Sequence, residues 1–155
     1  MTLAETTGTR PTLRMQRVFD APRALVWEAW TSPEAMVLWL GPVEWPAVHV
    51  TQDLRVGGAW RACLRSPDSG QDLWQGGVYR EIVPPERLAF TFKWDESHED
   101  GPPVDTLVTV VFSETDDGRT QMAFTHEGLK SEQSLTGHKH GWTGTMDRLE
   151  AFLAR

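Results

Sequence analysis

The chain predicts an α+β fold in two layers, and three observations carry that prediction. One strand is followed at once by two short helices. A run of strands then comes at hairpin spacing, which implies an antiparallel sheet. One long helical period closes the chain. A lone long helix laid on one face of such a sheet gives two layers.

The elements follow in order. Residues 1–11 are Thr-rich, with Gly8 and Pro11, and are expected to form a flexible tail; one domain is expected over residues 12–155. In "TLRMQRVFD", Leu13, Met15 and Arg17 alternate with Arg14, Gln16 and Val18, which reads as a strand with Phe19 near its end. In "DAPRALVWEAW", Asp20 or Ala21 is the expected cap and Pro22 lies in the first turn, with Leu25, Val26, Ala29 and Trp30 as the buried stripe. "TSPEAMVLWLGP" starts a second helix, with Ser32 as cap, Pro33 as first helical residue, Glu34 in the first turn and Gly41-Pro42 as the stop.

Strands come next. "AVHVTQDL" is the second. "RVGGAWRACLRS" opens at a Gly-Gly turn and sets Trp60, Ala62 and Leu64 against Arg61, Cys63 and Arg65. "DLWQGGVYREIV" carries Gly76-Gly77, expected to mark a bulge or a tight bend. "LAFTFKW" puts Leu88, Phe90, Phe92 and Trp94 on one face. "DESHEDGPP" is an acidic loop. The last two strands, "VDTLVTVVFSE" and "TQMAFTHEG", meet at Asp117-Gly118, a hairpin signal, and Met122, Phe124 and His126 share a face.

The final helix, starting at Ser131 or Glu132, raises a question. Leu135, His138, Trp142, Met146, Leu149 and Leu153 form one stripe, yet Gly137, Gly141 and Gly144 interrupt the segment. Each interior Gly costs a helix about 1 kcal/mol against Ala, and His and Trp stand where a solid core would carry Leu.

Composition narrows the function. The net charge of −7 argues against nucleic acid or an anionic membrane as partner, because both call for a basic face. The single cysteine, Cys63, forms no internal disulfide, no apolar run resembles a signal or a membrane span, and a cytoplasmic location is expected. Most of the eight tryptophans are expected to serve packing.

The chemistry-bearing residues suggest no catalytic constellation. His138 and His140 are two apart on a helix and cannot hold one ion; His126 and His138 alone fall short of a zinc site. No metal and no cofactor are expected. Cys63 reads as a buried inert thiol, with activation by Arg61 and Arg65 as the alternative. Glu81, placed on the face of Tyr79, reads as an ion-pair partner of Arg87 or Arg55, and Asp53 as a turn-stabilising carboxylate beside Arg55. "RVGGAW" lacks the ending and the strand-to-helix context of a phosphate loop, and "DESHEDG" lacks calcium-ligand spacing.

The stretches "FDAPRALVWEAWTSPEAMVLWLGP", "DLRVGG", "GGVYREIVPPERLAFTF", "TVVFSE", "GRTQMAFTHEGL" and "HGWTGTMDRLEAFL", in this order over nearly the whole chain, resemble the START/SRPBCC superfamily. They are most similar to its branch homologous to the C-terminal domain of the Hsp90 ATPase activator. The resemblance implies a helix-grip fold, in which a curved antiparallel sheet wraps a long C-terminal helix and encloses a cavity for an apolar or amphipathic small molecule. On that basis Trp60, Phe92, Met122 and Phe124 are expected on the sheet side of the cavity. His138, Trp142 and Met146 are expected on the helix side, His126 near the mouth, and Tyr79 as a hydroxyl that orients the ligand. Small residues such as Gly141, Gly144 and Thr145 would then leave volume; close approach of helix to sheet is an equal alternative for Gly141, and for Gly144 neither is preferred.

Binding without turnover is the first expectation. A cyclase- or hydrolase-like enzyme in the same cavity is the second, weakened by the lack of a nucleophile–base pair. The third, a co-chaperone stimulating the Hsp90 ATPase, is disfavoured. The family's activators carry an additional N-terminal domain, and about a dozen residues precede the first strand here. A weak homodimer is left open.

Overall fold

A computed structural model describes residues 10–97 and 101–155. The expected tail therefore lies almost wholly outside the described residues, as does the middle of the acidic loop. Strand β1 (Thr12–Phe19) leads into helix α1 (Arg23–Thr31) and the one-turn helix α2 (Pro33–Met36). Strands β2 (Ala47–Gln52), β3 (Ala59–Arg65), β4 (Asp72–Val83), β5 (Arg87–Trp94), β6 (Thr106–Glu114) and β7 (Thr120–Glu127) follow, and helix α3 (Glu132–Ala154) ends the chain. The seven strands form one antiparallel sheet in the order β1-β7-β6-β5-β4-β3-β2. It is curved and unclosed, with α3 against its inner face, the α+β helix-grip arrangement. All strands from β2 to β7 pair with their sequence neighbours, as hairpin spacing predicts. β1 closes onto β7, so α1 and α2 carry the chain from one sheet edge to the other.

Local sequence explains most boundaries. Ser32 caps α2, its Oγ accepting from the Ala35 amide at 3.4 Å. Ser131 caps α3, accepting from the Ser134 amide at 3.0 Å. Gly118 takes φ +82° in the β6–β7 hairpin, a left-handed conformation that suits Gly.

Three expectations require correction. The cap of α1 is Pro22 itself, with no side-chain bond, and neither Asp20 nor Ala21 serves. Leu25 leaves the buried stripe and is about half exposed, whereas Val26, Ala29 and Trp30 are buried. Glu81 does not share the face of Tyr79. A register shift between them in the β4–β5 ladder turns Tyr79 inward and Glu81 out, where it pairs with Arg87 at 3.1 Å.

Gly76-Gly77 marks a close approach. A Cβ on Gly77 would collide with the Thr91 carbonyl oxygen. That carbonyl accepts the Trp60 indole N–H at 2.9 Å, while the Thr91 hydroxyl accepts the Val78 amide at 2.8 Å. The regular ladder is replaced there by side-chain bonds, which keep the backbone polar groups paired across the bend.

The core is rich in aromatic residues. Trp30 packs edge-on to Trp39, with centroids 4.8 Å apart, and lies near Phe90, Phe112 and Trp142. Four of the eight tryptophans, Trp30, Trp39, Trp60 and Trp142, are buried core residues, and Trp27, Trp45 and Trp94 pack against that core. Arg148 on α3 donates to the carbonyls of Leu38 (2.9 Å), Leu40 (2.8 Å) and Gly41 (2.8 Å). It thereby satisfies the turn after α2 and ties the long helix to it.

Candidate functional site

Helix α3 is divided along its length. Its C-terminal half presents Met146 and Leu149, both fully buried, and packs solidly on the sheet. Its N-terminal half presents Ser134, Gly137, His138, Gly141, Trp142 and Thr145 to a pocket of about 390 Å³. The facing wall comes from Leu64 of β3, Gln75 of β4, Phe92 and Trp94 of β5, and Thr106 of β6. Leu40–Pro42 close one side, and Pro103, Val104, Leu129 and Lys130 another. Trp142 and Leu40 also line a second, much smaller void of about 10 Å³ with Trp30, Trp60 and Tyr79, and so stand between the two spaces.

The three glycines of the helix behave differently. A Cβ added to Gly137 or Gly141 would meet nothing within 4 Å, so both leave open space. A Cβ on Gly144 would lie 2.8 Å from the Pro42 Cβ, so this glycine admits the turn after α2.

Two tryptophan–histidine pairs organise the pocket floor. The Trp142 indole donates to His126 Nδ1 at 3.1 Å, and His126 Nε2 lies 2.7 Å from Thr106 Oγ1, which itself donates to the Phe92 carbonyl at 2.6 Å. Thr106 has spent its proton on Phe92, so His126 Nε2 carries the hydrogen and Nδ1 accepts: a neutral imidazole of defined tautomer. The Trp94 indole donates to His138 Nε2 at 3.1 Å, and His138 Nδ1 lies 2.8 Å from the Ser134 carbonyl, to which it donates. The two imidazoles stand edge to face, 5.0 Å between centroids. Burial, and to a smaller degree the neighbouring His138, holds His126 well below the usual imidazole range.

Of the nine residues expected at the site, Phe92, His138 and Trp142 line the larger pocket, and Trp60 and Tyr79 line the small void. Met122, Phe124, His126 and Met146 are packed and line neither; His126 is fully buried, not at a mouth. Period-two alternation puts these strand residues on the inner face correctly, but the volume opens towards the other end of the helix. The Tyr79 hydroxyl is taken by Gln52 Nε2 at 2.8 Å, and burial pushes its pKa up to about 12. Sequence reasoning missed Gln75, Thr106 and the Leu40–Pro42 turn. Gln75 was legible in part, as an inward position two residues from Leu73 and Gly77 on β4.

The remaining chemical candidates take structural positions. Cys63 is buried, and burial raises its thiol pKa. Asp53 bonds Arg55 at 2.9 Å on the surface. His140 points away from His138 and pairs with Glu44 at 3.1 Å. Among the described residues no three His, Cys, Asp or Glu side chains gather as a ligand set, and no helix is long and apolar enough to cross a membrane.

Fold and pocket together define a helix-grip domain of the SRPBCC ligand-binding type. Residues 20–154 match the family model described as Activator of Hsp90 ATPase homolog 1-like protein, and the chain belongs to that family. A crystal structure from Chromobacterium violaceum is similar at 29% identity, with TM-score 0.81, covering 94% of this chain and 99% of that one. One from Rhizobium leguminosarum shares 31% identity, with TM-score 0.78 and coverage of 94% and 95%. The AHSA1-like protein of Aeromonas hydrophila, at 20% identity and TM-score 0.75 with coverage of 93% and 92%, shares the fold. No curated protein matches the chain.

Proposed function

We propose that this protein binds an apolar or amphipathic small molecule in the pocket between the N-terminal half of α3 and the sheet. One observation carries the reading: Gly137 and Gly141 face the pocket with open space where a Cβ would stand. A helix that gives up about 1 kcal/mol of propensity at each of two positions, without gaining a closer contact there, is keeping volume. The volume falls within the roughly 300–1,000 Å³ of small-molecule sites. The wall chemistry supports the same reading. Aromatic and aliphatic side chains dominate, with a few polar groups at fixed positions, as ligand pockets require. Affinity would come mainly from apolar burial at about 25 cal/mol per Å².

The test is binding to a panel of lipids, flavonoids and polyketides, followed by tryptophan quenching, with native mass spectrometry of freshly purified protein to catch a co-purifying molecule. Trp94 and Trp142 line the pocket and will report occupancy. Gly141→Leu, which fills the space, is expected to abolish quenching by ligands that quench the wild type. Equal quenching in the folded variant would show that the ligands bind elsewhere, and silence across the panel together with an empty native spectrum would count against binding.

A further inference from the structure

We propose that Gln75 selects the ligand, and that the ligand carries a neutral head offering both a donor and an acceptor, such as a carboxamide, lactam or imide, on an apolar body. This rests on the pocket being a ligand site. Gln75 stands in β4 between Ala62 of β3 and Trp94 of β5, is only 3% exposed, and lines the pocket. Its side-chain amide bonds no described residue, yet neither amide atom is sealed from the pocket.

The other polar wall groups are engaged. Thr106 bonds Phe92 and His126, Thr145 donates to the Gly141 carbonyl at 2.8 Å, and both ring nitrogens of His138 are used. Lys130 is the one charged side chain among the described lining residues. It is half-buried, and its Nζ donates to the carbonyls of Gly101 (2.8 Å) and Pro102 (2.6 Å).

A ligand that fills the pocket strips solvent from the Gln75 amide. An amide left without partners is penalised, so the best occupant returns what it removes, a donor and an acceptor side by side. A facing amide does this through two parallel N–H···O bonds. An ionised head satisfies one edge of Gln75, opposes the other and loses its own hydration, and the Lys130 ammonium on the wall already donates to two carbonyls. Sites built to hydrogen-bond a polar head reject the analogue lacking it more strongly than apolar pockets discriminate shape.

The test is calorimetric titration of four probes sharing one body: naphthalene carboxamide, naphthoate, protonated naphthylmethylamine and methylnaphthalene. Each is titrated against wild type, Gln75→Leu and Gln75→Met, with melting checked for every protein. In the wild type the carboxamide is expected to bind about tenfold tighter than the others. In either folded variant that preference is expected to shrink to within about threefold while methylnaphthalene keeps its affinity. If the probes bind the wild type without a carboxamide preference, or the preference survives both substitutions, the role of Gln75 is overturned and the pocket reading stands. If no probe binds the wild type at about a millimolar, the pocket reading fails and this inference with it. Gln75→Met, close to Gln in length, decides the matter if Gln75→Leu does not fold.

Discussion

His126 shows how a single residue is decided by its surroundings. Alternation along β7 puts it on the face of Met122 and Phe124, and the structure keeps it there. Its chemistry came from elsewhere: Trp142 of α3 and Thr106 of β6 fix its tautomer, and burial keeps it neutral. The unfolded chain protonates this imidazole below about pH 6.5, whereas the folded one resists. The unfolded state therefore binds more protons as pH falls, and stability drops. The contribution is complete above about pH 6.5 and is lost below it, at about 1.4 kcal/mol per pH unit. Denaturant titrations between about pH 7 and about pH 5 are expected to show this slope in the wild type and a shallower one in His126→Gln. Equal slopes would mean that the native imidazole takes up its proton as readily as the unfolded one.

At the scale of elements, α3 carries two tasks in one stripe. Its periodicity was legible from sequence, and so was its start at Ser131 or Glu132, whereas the capping bond of Ser131 is seen only in the structure. The meaning of each glycine was not, because a missing Cβ leaves no mark of what stands opposite. Gly144 faces Pro42 in the turn between α2 and β2, distant in sequence from the helix, whereas Gly137 and Gly141 face space. Ala substitutions separate these roles. Gly137→Ala is expected to stabilise the protein by up to about 1 kcal/mol through helix propensity. Gly144→Ala, driven into the Pro42 ring, is expected to destabilise it by about 1–3 kcal/mol. Chemical denaturation measures both, and a stabilising Gly144→Ala would mean that the α2–β2 turn yields freely. β4 teaches a related lesson: one extra residue between Tyr79 and Glu81 inverts the inside–outside pattern, and alternation alone carries no sign of it.

For the whole molecule, the division between solid core and open pocket sets what binding can do. The packed end of the sheet, with Met122, Phe124, Met146 and Leu149 all buried, holds α3 in place without help from a ligand. The open end has unfilled volume, and an occupant that binds only the folded state adds stability in proportion to RT ln(1 + [L]/Kd). At a free concentration of about a hundred times Kd the gain is about 2.7 kcal/mol, which for a domain of this size raises Tm by roughly 5–10 °C. Thermal scans across a ligand titration are expected to give a steady logarithmic rise. A plateau once one equivalent has bound would indicate a ligand that also holds the unfolded chain. The ion pairs seen on the surface, such as Arg61–Asp95 at 2.6 Å, are partly exposed on both sides and add little to this balance.

By itself the sequence determined the order of elements, the strand pairing along the hairpin run, the cap of α2, the start of α3, and the inner faces of β3, β5 and β7. All of these follow from local periodicity and turn chemistry, which act over a few residues. Only the tertiary structure decided where the volume lies. It set Gln75 unpaired in the pocket wall, sank His126 beneath Trp142, and brought Pro42 against Gly144. A cavity is the space left between elements, and no residue's own propensity specifies it.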